Sequence, residues 1–76
     1  SLYPNPVQQG QEVTLEAEGN QISKLDILDV SGRKVNGEEI ISFSDNRAFV
    51  NTMCLLPGTY FLVVDGKPMQ KLLLVQ

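Results

Sequence analysis

Two short fragments carry the residue types of acyl-transfer chemistry. Ser31-Gly32-Arg33-Lys34 fits the S-x-x-K pattern and Ser44-Asp45-Asn46 fits S-D-N. Both patterns belong to penicillin-recognising serine enzymes. The physics does not follow the letters. That serine must sit at a helix N-terminus in a far larger scaffold, and here both fragments fall in turn-like sequence. The third element, K-T-G, is missing. The carboxylates Glu12, Glu16, Glu18, Glu38 and Glu39 are the other candidates. A Ca²⁺ ion takes roughly six to eight oxygen ligands. No D-x-D-x-D-G loop gathers these acids, and acids that alternate along a strand belong to a solvated face. Cys54 is the single cysteine and there is no histidine. A zinc site and an intramolecular disulfide are therefore both out of reach. Cys54 has neither the basic neighbour nor the helix N-terminus that activates a thiol. It reads as a small buried apolar residue between Met53 and Leu55. No glycine-rich phosphate cradle is present. The expectation is a non-enzyme with no metal and no cofactor.

The rest of the composition bounds the partners. Seventy-six residues make one domain, and 42% hydrophobic content suffices for a modest core. Nine acids against six bases give a net charge of −3. That balance disfavours nucleic acid and anionic membrane surfaces. The longest apolar run, Tyr60-Phe61-Leu62-Val63-Val64, is strand-sized and far from the ~18 residues of a membrane span. The chain opens on a Tyr-Pro segment without a charged-plus-apolar leader, so it reads as a piece of a larger protein. Five aromatics, Tyr3, Phe43, Phe49, Tyr60 and Phe61, are too scattered for a sugar platform and are expected in core or edge packing.

The elements that would position these residues are strands. Turn chemistry recurs about every eight residues, which suggests an all-β sandwich or barrel. The markers are Gly19-Asn20, Ser31-Gly32, Asn36-Gly37, Asp45-Asn46, Pro57-Gly58 and Asp65-Gly66. Asn36-Gly37 and Asp65-Gly66 are the strongest, because a type I′ turn needs positive φ at both central residues. Pro57-Gly58 reads as a type II turn. Between the turns the pattern alternates. Val13, Leu15 and Ala17 share one face of residues 12–17, and Leu25 and Ile27 continue the same logic. Leu28 and Val30 break it, suggesting a bulge or a strand covered on both faces. Residues 39–43, 47–53, 59–64 and 70–75 are further strands, with 59–64 central. No window shows a helical period. Pro4 and Pro6 confine the opening to an edge or a linker. The expected core is Val13, Leu15, Leu25, Ile27, Val35, Ile41, Val50, Leu56, Tyr60, Leu62, Val64, Leu72 and Leu74. The expected fold is all-β, an immunoglobulin-like antiparallel β-sandwich of about seven strands, with residues 1–8 as an extended lead-in.

Four motifs stand in a fixed order: Tyr3-Pro4-Asn5-Pro6 with Gly10, Asp29-Val30-Ser31-Gly32-Arg33, Leu55-Leu56-Pro57-Gly58-Thr59-Tyr60, and Lys71-Leu72-Leu73-Leu74-Val75. In this order they span nearly the whole chain, which resembles the C-terminal sorting domain of proteins exported by the type IX (Por) secretion system of Bacteroidota. Such domains often end on a basic residue, whereas this chain ends on Gln76. The resemblance implies that 1–76 is a single sorting domain that directs its cargo through the type IX system to the cell surface. It also implies that a sortase usually cuts the domain off there. The implied partners are the translocon, the sortase and an N-terminal cargo domain of the same chain. The implied address is the periplasm in transit, then the outer-membrane surface or the medium. The motif residues are the recognition candidates, with Lys71 and Leu72–Val75 first, on the view that the last strand is a free edge open to β-augmentation. Such an edge would also favour self-association. The alternative is a non-catalytic immunoglobulin-like accessory, spacer or carbohydrate/adhesion module of a secreted protein.

Overall fold

Alternation along the chain builds two sheets whose apolar faces meet. The computed structural model describes residues 1–19, 21–35, 37–67 and 70–76. Eight strands lie among them: β1 Leu2–Tyr3, β2 Val7–Gln8, β3 Glu12–Glu16, β4 Leu25–Leu28, β5 Ile41–Ser44, β6 Arg47–Asn51, β7 Gly58–Val64 and β8 Gln70–Val75. The first sheet has the order β1-β3-β6-β5 and is antiparallel throughout. The second has the order β2-β8-β7-β4. Its β8-β7 and β7-β4 pairs are antiparallel, and its β2-β8 pair is parallel. The all-β sandwich expected from the turn spacing is therefore present, with two of its eight strands in the proline-rich opening. The described residues contain no α-helix, only a 3-10 turn at Glu38–Ile40.

Each long strand sends every second residue inward, as the pleat requires. The first sheet contributes Val13 and Leu15 from β3, and Ala48 and Val50 from β6. The second contributes Leu25 and Ile27 from β4, Tyr60 and Leu62 from β7, and Leu72 and Leu74 from β8. Val7 of β2 is fully buried among them, and Ile22 and Leu55 join from connecting segments. Val35, Ile41 and Val64 pack on this core half-buried.

Several expectations need correction. Leu56 is exposed and its neighbour Leu55 takes the core position. The reason is a turn ahead of the expected Pro57-Gly58: Leu55 N–H donates to Thr52 C=O at 3.0 Å, closing a loop over Met53 and Cys54. Gly58 is accordingly the first residue of β7, opposite Leu74, rather than the centre of a type II turn. Cys54 is exposed on that loop, not buried. The apolar break at Leu28-Val30 is neither a bulge nor a doubly covered strand. β4 ends at Leu28, and Val30 points outward from the following turn. Asp65-Gly66 does form the type I′ pair, with φ of 49° and 75° and a Lys67 N–H to Val64 C=O bond of 2.8 Å. Asn20 and Asn36, of two further expected turns, lie outside the described residues.

Candidate recognition surface

The four motifs come together in two places. The first is the outer edge of β8. The opening segment crosses from one sheet to the other: Leu2 and Tyr3 pair with Leu15 and Thr14, and Val7 and Gln8 pair with Leu74 and Val75. Tyr3-Pro4 and Asn5-Pro6 are cis peptide bonds. Between the two prolines, Asn5 faces β8. Its Nδ2 donates to Lys71 C=O at 2.8 Å, and its Oδ1 accepts from Leu73 N–H at 3.1 Å. One carboxamide thus meets two main-chain groups of β8 as a neighbouring strand would. Farther along, Gln9 N–H donates to Val75 C=O at 2.7 Å. The last strand is therefore not a free edge. β2 and Asn5 occupy the side that sequence reasoning left open, because the Tyr-Pro lead-in folds back onto it. On β8, Leu72 and Leu74 point into the core, while Lys71, Leu73 and Val75 are exposed on the outer face.

The second gathering point lies at the end of β4 and the start of β7. Asp29 organises the turn after β4. Its Oδ1 accepts from Ser31 N–H at 2.9 Å, Ser31 Oγ–H at 2.6 Å and Arg33 N–H at 3.1 Å. Main-chain bonds close the same loop, from Gly32 N–H to Asp29 C=O and from Asp29 N–H to Arg33 C=O. Gly32 adopts φ of 87° there. The Arg33 Nε lies 3.6 Å from Asp29 Oδ2, an ion pair across the turn. The Ser31 hydroxyl, then the Arg33 amide, hold the Asp29 carboxyl below its ordinary value. Tyr60 donates its hydroxyl proton to Leu56 C=O, tying β7 to the loop before it. Burial pushes the Tyr60 phenol up, and the Asp29 carboxylate adds to that shift, so the two motifs share one electrostatic neighbourhood.

Gly10 stands apart from both clusters. It takes φ of 95° in the turn after β2, and its N–H donates to Thr52 Oγ1 at 2.9 Å. Thr52, fully buried, donates in turn to Gln11 C=O at 2.6 Å. Sequence reasoning missed Thr52, since a lone threonine after a strand carries no signal. It also missed Asp65 as a fastener. The Asp65 carboxylate accepts from Ser23 N–H, Ser23 Oγ–H and Lys24 N–H, with the shortest contacts at 2.8 Å. These bonds, the Ser23 hydroxyl first, lower its pKa.

Three of the candidates of the opening reading, Ser31, Lys34 and Glu16, have structural partners. Ser31 is engaged by Asp29, and Lys34 Nζ lies 3.2 Å from Asp26. Glu16 is paired with Arg47 at 3.1 Å across β3 and β6. The exposed aromatics Tyr3 and Phe43 lie on opposite edge strands of the first sheet.

Comparison with known families decides the affiliation. Residues 1–74 match the family described as "Secretion system C-terminal sorting domain". The chain belongs to that family, the type IX secretion sorting domains. No curated protein and no solved structure matches it. The match takes in both gathering points and every strand down to Leu74. The sorting domain is thus a secretion signal borne by an exported protein. No helix among its described residues is long and apolar enough to cross a membrane.

Proposed function

We propose that this sorting domain is a passive address, read by the translocon of the outer membrane on a cargo folded in the periplasm. A cell-surface sortase then cuts near the Tyr-Pro lead-in, and the cargo remains on the surface or leaves for the medium. The domain is the substrate of that cut and does no catalysis itself. The observation that most supports this reading is the family match over residues 1–74. The non-catalytic part rests on Ser31 and Lys34, which are both engaged in local bonds. The recognised surface includes the outer face of β8 with Lys71.

The test is a reporter fused ahead of the domain in a host with the type IX system. Removing Lys71–Gln76 should trap the reporter in the periplasm. That deletion also removes Leu72 and Leu74 from the core, so a surface change must accompany it. Lys71→Glu alters stability by no more than about 0.5 kcal/mol and should still impair export. Normal surface delivery of the deletion fusion refutes the sorting role.

A further inference from the structure

We infer that the opening segment is a displaceable guard over the outer edge of β8, latched by Asn5 and anchored by Val7, and that the edge it covers takes an extended strand of the recognising partner. The inference rests on the sorting role for the identity of the partner, though not for the guard itself.

The argument starts from which way the amides of β8 point. Along a strand, successive N–H groups face alternate sides. Leu73 N–H is bonded by Asn5, so it faces the guard. Leu72 and Leu74 therefore turn their N–H groups toward β7. The two sides of β8 are held very differently. β7 pairs with β8 over five positions, from Gly58↔Leu74 to Leu62↔Gln70. β2 pairs over two, Val7↔Leu74 and Gln8↔Val75, and Lys71–Leu73 meets a single side chain. Tyr3, Pro4, Asn5 and Pro6 are exposed, whereas Val7 is fully buried. Tyr3 stays paired with Thr14 in β1, so lifting residues 4–6 uncovers Lys71 C=O and Leu73 N–H without drawing a core side chain into water.

The chemistry of the occupant follows from what sits there now. Val7–Gln8 is an extended segment in register with β8, and Asn5 imitates one more strand residue beyond it. The edge is therefore shaped for main-chain pairing, and an extended polypeptide is the ligand it already accepts. The outward residues along the uncovered stretch are Lys71 and Leu73, since Val75 stays covered by Gln8 and Gln9. The incoming strand should carry an apolar residue opposite Leu73 and an acid opposite the lysine.

Amide exchange followed by NMR on the whole chain tests the guard. Leu73 should exchange at least about tenfold faster than Leu72 and Leu74 through local opening. Asn5→Ala should speed Leu73 by a further factor of about ten, leaving Leu72 and Leu74 within about threefold. If all three amides move together, the segment does not open separately and the guard is refuted. The same variant, fused to the reporter, tests the occupant. A partner that binds only the open form gains in proportion to the open fraction. Initial export of Asn5→Ala should accordingly rise above wild type. A folded Asn5→Ala that stays in the periplasm overturns the inference, because the closed segment is then what is read. A wild-type fusion that is not exported refutes the sorting role and the partner together, while the exchange result still decides the guard. Concentration-dependent dimers of Asn5→Ala, without faster export, would assign the uncovered edge to a second copy and overturn the proposed occupant.

Discussion

Val7 lies directly opposite Leu74, and their strands run parallel. Both side chains are buried to within 1% of complete enclosure. A residue from the first tenth of the chain and one from the last strand thus share the core. The opening segment is part of the fold, not a tether in front of it. Val7→Ala removes two buried carbon groups next to Leu74. It should lower stability by about 1.5–3 kcal/mol. Urea denaturation will read this as a lower midpoint at unchanged slope. A midpoint equal to wild type would show that residues 1–8 hang free in solution.

Gly58 opens β7 with φ of 155°. A Cβ placed there meets no atom within 4 Å, so any penalty comes from the backbone and not from crowding. Gly58→Val should cost about 1–3 kcal/mol. Gly58→Ala should cost a similar amount, since both side chains are barred from this φ for the same reason. A large cost for valine with none for alanine would point to crowding instead.

Acid and alkali should weaken the domain through different groups. Asp29 and Asp65 have lowered pKa values, so the folded state prefers their ionised forms. Their contribution is complete above the ordinary value of 3.8 and is lost as pH falls through the lower folded values. Tyr60 is shifted upward, so the folded state prefers the neutral phenol. Its contribution is complete below the ordinary value of 10.0 and is lost as pH rises through the higher folded value. Denaturation midpoints across pH should therefore fall at both ends. Asp29→Asn with Asp65→Asn should flatten the acid limb, and Tyr60→Phe the alkaline limb. Unaltered limbs would mean that other groups set the pH response.

How far the sequence foretold this domain depends on the range of the interaction. Period-two alternation is local, so β3, β7 and β8 were legible to within a residue of their ends. The Asp29 turn was legible too, because its bonds span only four positions. The two-proline opening was not. Proline removes ladder donors, which reads as an edge or linker, and nothing local says that Asn5 will reach β8 68 positions later. The same limit explains Leu55 and Leu56. Both are leucines, and only the turn closed by Thr52 decides which one faces the core.

Thr52 yields the sharpest test of that long-range wiring. Its hydroxyl accepts from Gly10 N–H and donates to Gln11 C=O, 42 and 41 positions away. The residue is 0% exposed, so the hydroxyl spans the two sites from within the core. Thr52→Val keeps the shape and removes both bonds. It should cost about 1–3 kcal/mol, because two main-chain groups lose their partner. Thr52→Ser keeps both bonds and deletes one methyl, for about 1 kcal/mol. The two energies lie close together, so the Gly10 amide supplies the decisive reading. Its hydrogen exchange should quicken by roughly tenfold or more in Thr52→Val and stay near wild type in Thr52→Ser. Equal exchange in the two variants would show that the Gly10 turn holds itself, with Thr52 contributing only its volume.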